Sequence, residues 1–263
     1  MNPIITVLEF GEFTRPIGGY GLMMAFGVLV GMAMLLRATW MAKGDLAATT
    51  AAMGFVALGA FSSSWLLFVI VETLRTGSMV GAISRGGLVY YGSPFGGLLV
   101  LWLVRKPLEL DFRRVLDLAL PALPVAHAMG RIGCLLGGCC FGELWDGEWA
   151  VTYTEPMAPA SHPSEPRHPT PLYEAGALLL IGLGFALKPP RRIGTAERFA
   201  SYFVLYGVLR FTVEMFRGDS VRGGSQLLAL STSQLISIAV VALALGYLGW
   251  VRRERRRAER ALV

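Results

Sequence analysis

The sequence predicts an all-α integral membrane protein with seven transmembrane helices, and three observations lead to this fold class. Of the 263 residues, 54% are hydrophobic and only 16% are charged, whereas soluble proteins carry about 25% charged residues. Seven apolar runs approach the roughly 20 residues that a helix needs to cross a bilayer. The charges fall mainly between these runs without forming a basic stripe interleaved with aromatics. We therefore expect the membrane as a partner and no nucleic acid.

The predicted spans are defined by the apolar runs and by local helix signals. Asp45 and Thr49–Thr50 are typical helix-starting residues ahead of the second run. Pro121 and Pro124 predict a kink in the fourth run. In chain order, the runs are Gly18–Leu36, Ala51–Val71, Gly86–Val104, Val115–Met129, Leu172–Leu187, Phe199–Phe216 and Leu227–Trp250.

The distribution of positive charge predicts the orientation of the chain. Seven spans place the termini on opposite sides, and 16 of the 24 lysines and arginines fall on the C-terminal side. We therefore expect a cytoplasmic C-terminus and an outer N-terminus. The N-terminal segment has no basic n-region, so the first helix is expected to be an uncleaved anchor. Residues 1–263 are expected to form a single membrane domain, in which Phe141–Thr170 is an extracytoplasmic loop or lid.

The most unusual segment is His127–Gly142, HAMGRIGCLLGGCCFG, which places a charge and several glycines next to an apolar run. A charge at the centre of a bilayer costs roughly 2.5–3.5 kcal/mol, so Arg131 is expected to be paired or functional. The glycines let other groups approach the backbone closely. The segment therefore suggests a site for a lipid phosphate. The alternative is a helix-packing glycine motif with a snorkelling arginine.

The same segment contains all three cysteines, Cys134, Cys139 and Cys140. An odd number with two adjacent residues argues against a disulfide framework. On a continuous helix, positions 134 and 139 point about 140° apart, so we expect no metal site, and we expect no cofactor. Cys134 shares a helical face with Arg131, whose charge would favour a thiolate there.

A second charged cluster lies in the sixth run, at Arg210, Glu214 and Arg217. Spacings of four and three residues predict that these side chains share one helical face. One interpretation is a charge triplet that neutralises itself within the membrane. In the other, Arg210 shares a phosphate with Arg131, because planar guanidinium groups match phosphate oxygens in pairs.

Three further polar residues lie near predicted helix starts. Glu174 lies close to the start of the fifth run, next to Tyr173, whose hydroxyl is expected at the interface. Pro171 and Glu174 also fit an ordinary helix N-terminus. Tyr20, near the start of the first run, fits either a site residue or an interfacial aromatic.

With these residues in place, the chain resembles the prolipoprotein diacylglyceryl transferase family. The resemblance covers roughly residues 16–250, and its motifs keep the order and spacing of the family. The matching segments are Gly19–Met23, Gly130–Gly133 with Gly142, His168–Ala175, Leu209–Arg217 and Ser233–Ser237.

The resemblance implies a seven-helix enzyme of the bacterial cytoplasmic (inner) membrane. Such an enzyme moves a diacylglyceryl group from phosphatidylglycerol to the lipobox cysteine in the signal peptide of a prolipoprotein, forms a thioether and releases glycerol phosphate. The resemblance implies that Arg131 and Arg210 hold the lipid phosphate. The residues that would support this site are Tyr20, Gly142, Glu214 and Arg217. Tyr173 and Glu174 are further candidates for substrate binding.

The chain departs from the family pattern at positions of the central motifs. Cys134 stands where the family has asparagine, Cys139 where it has an acid, Tyr91 where it has histidine, and Pro171 where it has glutamine. The catalytic candidates are Tyr20, Tyr91, Cys134, Cys139 and Glu214. Two alternatives to the transferase therefore stay open. One is a divergent relative that uses its thiols for another lipid or prenyl transfer or for redox chemistry, and the other is a non-enzymatic lipid-binding protein.

The charge distribution makes a testable prediction about topology. A reporter fused after Val263 should be cytoplasmic, and a tag inserted in Phe141–Thr170 should react with an impermeant reagent added from outside. Labelling of the loop tag only after the cells are opened would contradict the predicted orientation.

Overall fold

A computed structural model of the protein describes residues 4–10, 13–89, 92–152, 165–188, 196–217 and 230–260. The described residues form nine helices preceded by one antiparallel β-hairpin, so the fold is predominantly helical as predicted. The hairpin, which the all-α prediction did not include, pairs β1 (Ile4–Phe10) with β2 (Phe13–Gly18).

The helices follow the predicted apolar runs in most places. They are α1 (Gly19–Met41), α2 (Leu46–Thr76), α3 (Met79–Arg85), α4 (Gly92–Val104), α5 (Phe112–Ala119), α6 (Ala122–Leu136), α7 (Thr170–Leu187), α8 (Glu197–Glu214) and α9 (Thr232–Arg260). The Asp45 side chain caps α2 by accepting a 2.9 Å hydrogen bond from the Ala48 amide, which confirms the predicted helix start. α5 and α6 are bent by 52° at a short break, which confirms the kink predicted from Pro121 and Pro124.

Within the described residues, four helices are long and apolar enough to cross a membrane, and the bent pair would make a fifth. The four are α1, α2, α7 and α9. The third predicted span begins too early, because α3 ends at Arg85 and α4 has only 13 residues, about 20 Å of helix. The sixth predicted span corresponds to α8, which carries four charged side chains among its 18 residues. For this reason α8 is not one of the four apolar helices. Because several of its helices are long and apolar enough to cross a membrane, the chain is a multi-pass membrane protein.

The contacts divide the chain into two compact units, Leu36–Leu118 and the remainder, Met1–Leu35 with Ala119–Val263. In the first unit, glycines let α4 pack directly on α2. A Cβ placed at Gly92 would lie 2.5 Å from the carbonyl oxygen of Ser63. The Ser63 hydroxyl donates to the Gly92 carbonyl at 2.8 Å, so a hydrogen bond fixes the same contact.

In the second unit, α6, α7 and α8 surround a small apolar core. Glycines also bring α6 close to α1, because a Cβ placed at Gly27 would lie 2.9 Å from the carbonyl oxygen of Ala126. At Gly133, a Cβ would lie 3.2 Å from the carbonyl oxygen of Tyr20. The fully or nearly buried core residues are Leu120, Ala128, Ala175, Leu178 and Tyr202. This packing fixes the faces of α6, α7 and α8 that carry the buried charges.

The contact at Gly92 predicts a loss of stability on substitution. Gly92→Ala should destabilise the protein by about 1–3 kcal/mol, because the added methyl group meets backbone atoms of α2 that cannot move aside. Thermal unfolding in detergent micelles measures the effect. Gly54→Ala on α2 is the matched control, since no described atom lies within 4 Å of a Cβ placed there. Equal melting temperatures for the two variants would contradict the close packing of α2 and α4.

Candidate active site

The first buried ion pair of the site joins α6 to α7. The Nη2 atom of Arg131 lies 3.0 Å from Oε1 of Glu174, and the side chain of Glu174 is only 2% exposed. The Tyr206 hydroxyl donates to the same oxygen at 2.9 Å. The Nε atom of Arg131 is buried and makes no hydrogen bond to any described residue. Arg131 is therefore held in place while one of its donors remains available.

The second ion pair lies at the C-terminal end of α8. Nη2 of Arg210 lies 2.5 Å from Oε2 of Glu214, and the Ser231 hydroxyl donates to Oε1 of Glu214 at 2.8 Å. The Arg210 guanidinium also donates to Ser233 Oγ at 3.2 Å. Among the described residues, none accepts a hydrogen bond from the buried Nη1 atom of Arg210. As in the first pair, the carboxylate contacts the arginine and accepts from a hydroxyl, and the arginine keeps a buried donor that no described residue engages.

His127 and two tyrosines lie beside both ion pairs. Nδ1 of His127 is 3.3 Å from the Tyr202 hydroxyl, and the His127 ring packs against the Tyr206 ring at 4.9 Å. Tyr206 also donates to Glu174 of the first pair and lies one helical turn before Arg210 of the second. The two ion pairs thus belong to one polar interior of this unit.

The three cysteines converge at the C-terminal end of α6. Their sulfur atoms lie within 4.8 Å of one another, and all three side chains are half-buried thiols. The expectation that the sulfurs of Cys134 and Cys139 point apart is wrong, because α6 ends at Leu136 and the chain turns back through Gly137 and Gly138. Hydrogen bonds from its neighbouring thiols, together with burial, raise the pKa of Cys139, so in this arrangement Cys139 is a thiol at neutral pH.

The segment that follows the cysteines packs against the start of α7. The Gly142 amide donates to the His168 carbonyl at 2.9 Å, and the Thr170 hydroxyl donates to the Cys140 carbonyl at 2.6 Å. A Cβ placed at Gly142 would lie 2.4 Å from the carbonyl oxygen of Phe216. Gly142 is therefore required by close packing at this point.

Aromatic side chains surround this junction. His168 stacks on Trp145 with a centroid distance of 4.4 Å, and its Nδ1 lies 3.1 Å from the Tyr173 hydroxyl. Phe216 packs edge-on against both His168 and Tyr173. The described parts of the predicted loop are thus tied to the ends of α7 and α8 near the ion pairs.

Comparison with known proteins identifies the family of this chain. The family model described as prolipoprotein diacylglyceryl transferase matches residues 7–250. The chain belongs to the prolipoprotein diacylglyceryl transferase family. A phosphatidylglycerol–prolipoprotein diacylglyceryl transferase of Clostridium tetani is 32% identical over 253 residues, covering 93% of this chain and 96% of that protein. The protein of the same name from Dehalococcoides mccartyi is 30% identical over 248 residues, covering 92% of each chain.

In this member of the prolipoprotein diacylglyceryl transferase family, the predicted site residues lie in three places: in the two ion pairs, at the start of α1 and at the junction between the loop and α7. The structure brings Arg131 together with Glu174, and Arg210 with Glu214, as described above. Tyr20 lies in the first turn of α1, where its carbonyl oxygen would be 3.2 Å from a Cβ placed at Gly133 of α6. Gly142 and Tyr173 belong to the junction between the loop and α7.

Two further predicted residues lie outside the described helices. Arg217 follows α8, which ends at Glu214, so the shared helical face is shown for Arg210 and Glu214 and stays a prediction for Arg217. Its amide donates to the Glu214 carbonyl at 3.2 Å. Tyr91 lies outside the described residues, and its role stays a prediction.

The sequence analysis missed two members of the polar interior, His127 and Tyr206. Each precedes a site arginine by four residues, His127 before Arg131 and Tyr206 before Arg210, and so lies on the same helical face. This four-residue spacing was the signal in the sequence from which both residues could have been predicted as site members. Ser231 and Ser233 contact the second pair from the start of α9. Ser233 lies in the matching segment Ser233–Ser237, whereas Ser231 carries no comparable signal.

The first ion pair predicts strong energetic coupling. Glu174→Leu should destabilise the protein by about 3–5 kcal/mol, because Arg131 then stays buried without a partner. The double variant Arg131→Met/Glu174→Leu should recover most of this loss. Denaturant unfolding in micelles measures the free energies of the double-mutant cycle.

The exposed pair of Arg257 and Glu254, at 3.0 Å, supplies the control for this cycle. Its coupling energy should stay below about 1 kcal/mol, because water screens exposed charges. Additive effects of the Arg131 and Glu174 substitutions would show that the buried pair does not hold the arginine.

Proposed function

We propose that this protein transfers a diacylglyceryl group from phosphatidylglycerol to the lipobox cysteine of a prolipoprotein. Its relatives carry the name of this activity, and the family model covers nearly the whole chain. The observation that carries the proposal is the pair of buried arginines, each anchored by a carboxylate and each retaining one donor.

The two arginines fit the phosphate of the lipid donor. Nε of Arg131 and Nη1 of Arg210 are the donors that no described residue engages, and a phosphodiester offers oxygen acceptors for both. Glu174 and Glu214 fix the guanidinium planes before the lipid arrives. A preorganised site of this kind loses little entropy on binding.

The same donors would accelerate the reaction. The substrate sulfur attacks the glycerol carbon, the carbon–oxygen bond breaks, and its electron pair leaves with the phosphate oxygen. Negative charge on the leaving phosphate grows as this bond breaks, and fixed arginine donors stabilise it. The products are the thioether and glycerol phosphate, and the proton of the thiol passes to solvent water.

Glu174 and Glu214 serve in this proposal to position the arginines. Each carboxylate already accepts from an arginine and from a hydroxyl, of Tyr206 and Ser231 respectively. Oε1 of Glu174 and both carboxylate oxygens of Glu214 are therefore engaged within the protein. Glu214, named above as a catalytic candidate, is assigned a positioning role.

For the membrane arrangement, we propose seven spans in the bacterial cytoplasmic membrane. They are α1, α2, α4, the bent pair of α5 and α6, α7, α8 and α9. The excess of lysine and arginine on the C-terminal side supports an outer N-terminus and a cytoplasmic C-terminus. The segment Phe141–Thr170 would then face the side from which secreted prolipoproteins are recognised.

The proposed activity is tested directly with purified protein, phosphatidylglycerol and a lipobox peptide. Mass spectrometry should detect the peptide with a thioether-linked diacylglyceryl group, together with free glycerol phosphate. A matched peptide with serine in place of cysteine should stay unmodified. If the folded wild-type protein forms no thioether product in this assay, the proposal is contradicted.

Arginine geometry makes a further prediction for this assay. Arg131→Lys and Arg210→Lys should each lower kcat/KM at least about tenfold, because lysine keeps the charge but loses the planar paired donors. Arg198→Lys is the control at the opposite end of α8, where the arginine contacts the Phe185 ring and the Lys188 carbonyl. Near-normal turnover of both test variants would leave Arg131 and Arg210 as structural charges only.

A further inference from the structure

The three cysteines form a compact cluster that the phosphate site does not use. The sulfur atoms of Cys134, Cys139 and Cys140 lie within 4.8 Å of one another. Backbone hydrogen bonds close the turn that brings them together: the Gly137 amide donates to the Gly133 carbonyl at 2.8 Å, and the Cys139 amide to the Cys134 carbonyl at 3.0 Å. The cluster is therefore defined by the backbone.

Cys140 is held in an unfavourable backbone conformation. Its φ is +63°, in the left-handed region that residues with a side chain seldom adopt. Such a conformation persists where the surroundings enforce it. The 2.6 Å bond from the Thr170 hydroxyl to the Cys140 carbonyl is one such restraint. The conformation brings a third sulfur to the cluster.

Three converging thiols match the ligand set of a soft cation. Thiolates select zinc(II) and copper(I), and zinc–sulfur bonds of about 2.3 Å in a tetrahedron place two sulfurs about 3.8 Å apart. The sulfurs would need to approach by about 1 Å at most, which small rotations about the side-chain bonds provide. Catalytic zinc sites keep three protein ligands and one open position.

The surroundings of the cluster leave room and charge for a fourth ligand. All three cysteine side chains are only half-buried, and the neighbouring Tyr20 is 37% exposed. Three thiolates around one zinc(II) ion carry a net negative charge, and Arg131 is close enough to Cys134 and Cys140 to offset it.

We propose that Cys134, Cys139 and Cys140 form a trithiolate site for one zinc ion, whose fourth position binds a thiolate from outside the chain. The identity of that thiolate, the lipobox cysteine, rests on the proposed function. Zinc coordination removes the proton of a bound thiol, which goes to solvent water. The bound sulfur then attacks the glycerol carbon and leaves the zinc as the thioether, while the carbon–oxygen electron pair leaves with the phosphate.

This site would account for the substituted family positions. Cys134 and Cys139 stand where the resemblance places an asparagine and an acid. The carboxylates Glu174 and Glu214 are engaged by the arginines. A zinc ion would generate the thiolate without a strong base at any of these positions.

Metal binding is tested on purified full-length protein without lipid. After zinc loading and gel filtration, elemental analysis should give one zinc per chain, and each single Cys→Ser variant should bind zinc at least about tenfold more weakly. Melting temperatures in detergent identify any variant that fails to fold. Substoichiometric zinc in the wild type, unchanged binding in all three variants, or a disulfide between these cysteines would overturn the site.

The fourth ligand is tested by cobalt(II) substitution, which requires only wild-type protein. The thiolate-to-cobalt charge-transfer band should correspond to three thiolates and rise by about one third when a lipobox peptide is added, with the serine peptide as the control. An unchanged band would overturn the fourth position. Because neither measurement contains phosphatidylglycerol, a protein that binds zinc but forms no thioether would refute the proposed function and leave the metal site intact.

Discussion

The interaction on which this structure depends is the pairing of buried arginines with buried carboxylates. A lone guanidinium in an apolar environment is too costly to keep, so each arginine needs a permanent partner. Glu174 supplies it for Arg131 across two helices, and Glu214 supplies it for Arg210 within one helix. Each pair keeps one donor unused by the described residues, and this combination of a fixed charge and a spare donor suits a phosphate.

Much of the local packing serves to bring these pairs together. Gly133 lets α6 lie against the start of α1, and Gly142 lets the segment after the cysteines contact the end of α8. The Tyr206 hydroxyl donates to the Glu174 oxygen that Arg131 also contacts, whereas the Ser231 hydroxyl donates to the Glu214 oxygen that Arg210 leaves. Small residues thus allow the close packing around the charges, and hydroxyl groups donate hydrogen bonds to the carboxylates. Apolar side chains pack around this polar region.

The sequence predicted those features that depend on local periodicity. Apolar run length gave most helices, Asp45 gave a helix start, and Pro121 with Pro124 gave the bend between α5 and α6. The partner of Arg131 could not be derived in this way, because Glu174 lies on another helix and its position fits an ordinary helix start.

The cysteine cluster illustrates the same limit. A continuous helix over residues 134–140 would place the sulfurs of Cys134 and Cys139 on different faces. In the structure, the turn at Gly137 and Gly138 brings the sulfurs together. The two adjacent glycines indicated a possible break in the helix. The direction in which the chain continues after the break depends on tertiary hydrogen bonds, such as the one from the Thr170 hydroxyl to the Cys140 carbonyl, which the sequence does not reveal. The N-terminal hairpin was likewise outside a prediction based on apolar helices.

The central claim, one phosphate held jointly by Arg131 and Arg210, is tested most directly by a double-mutant cycle on lipid binding. The dissociation constant of a short-chain phosphatidylglycerol is measured calorimetrically for the wild type, for Arg131→Lys, for Arg210→Lys and for the double variant. If both arginines hold the same phosphate, each single substitution weakens binding at least about tenfold, and the double variant is weakened by much less than the product of the two. Unchanged affinities, or two losses that simply multiply, would contradict a shared phosphate.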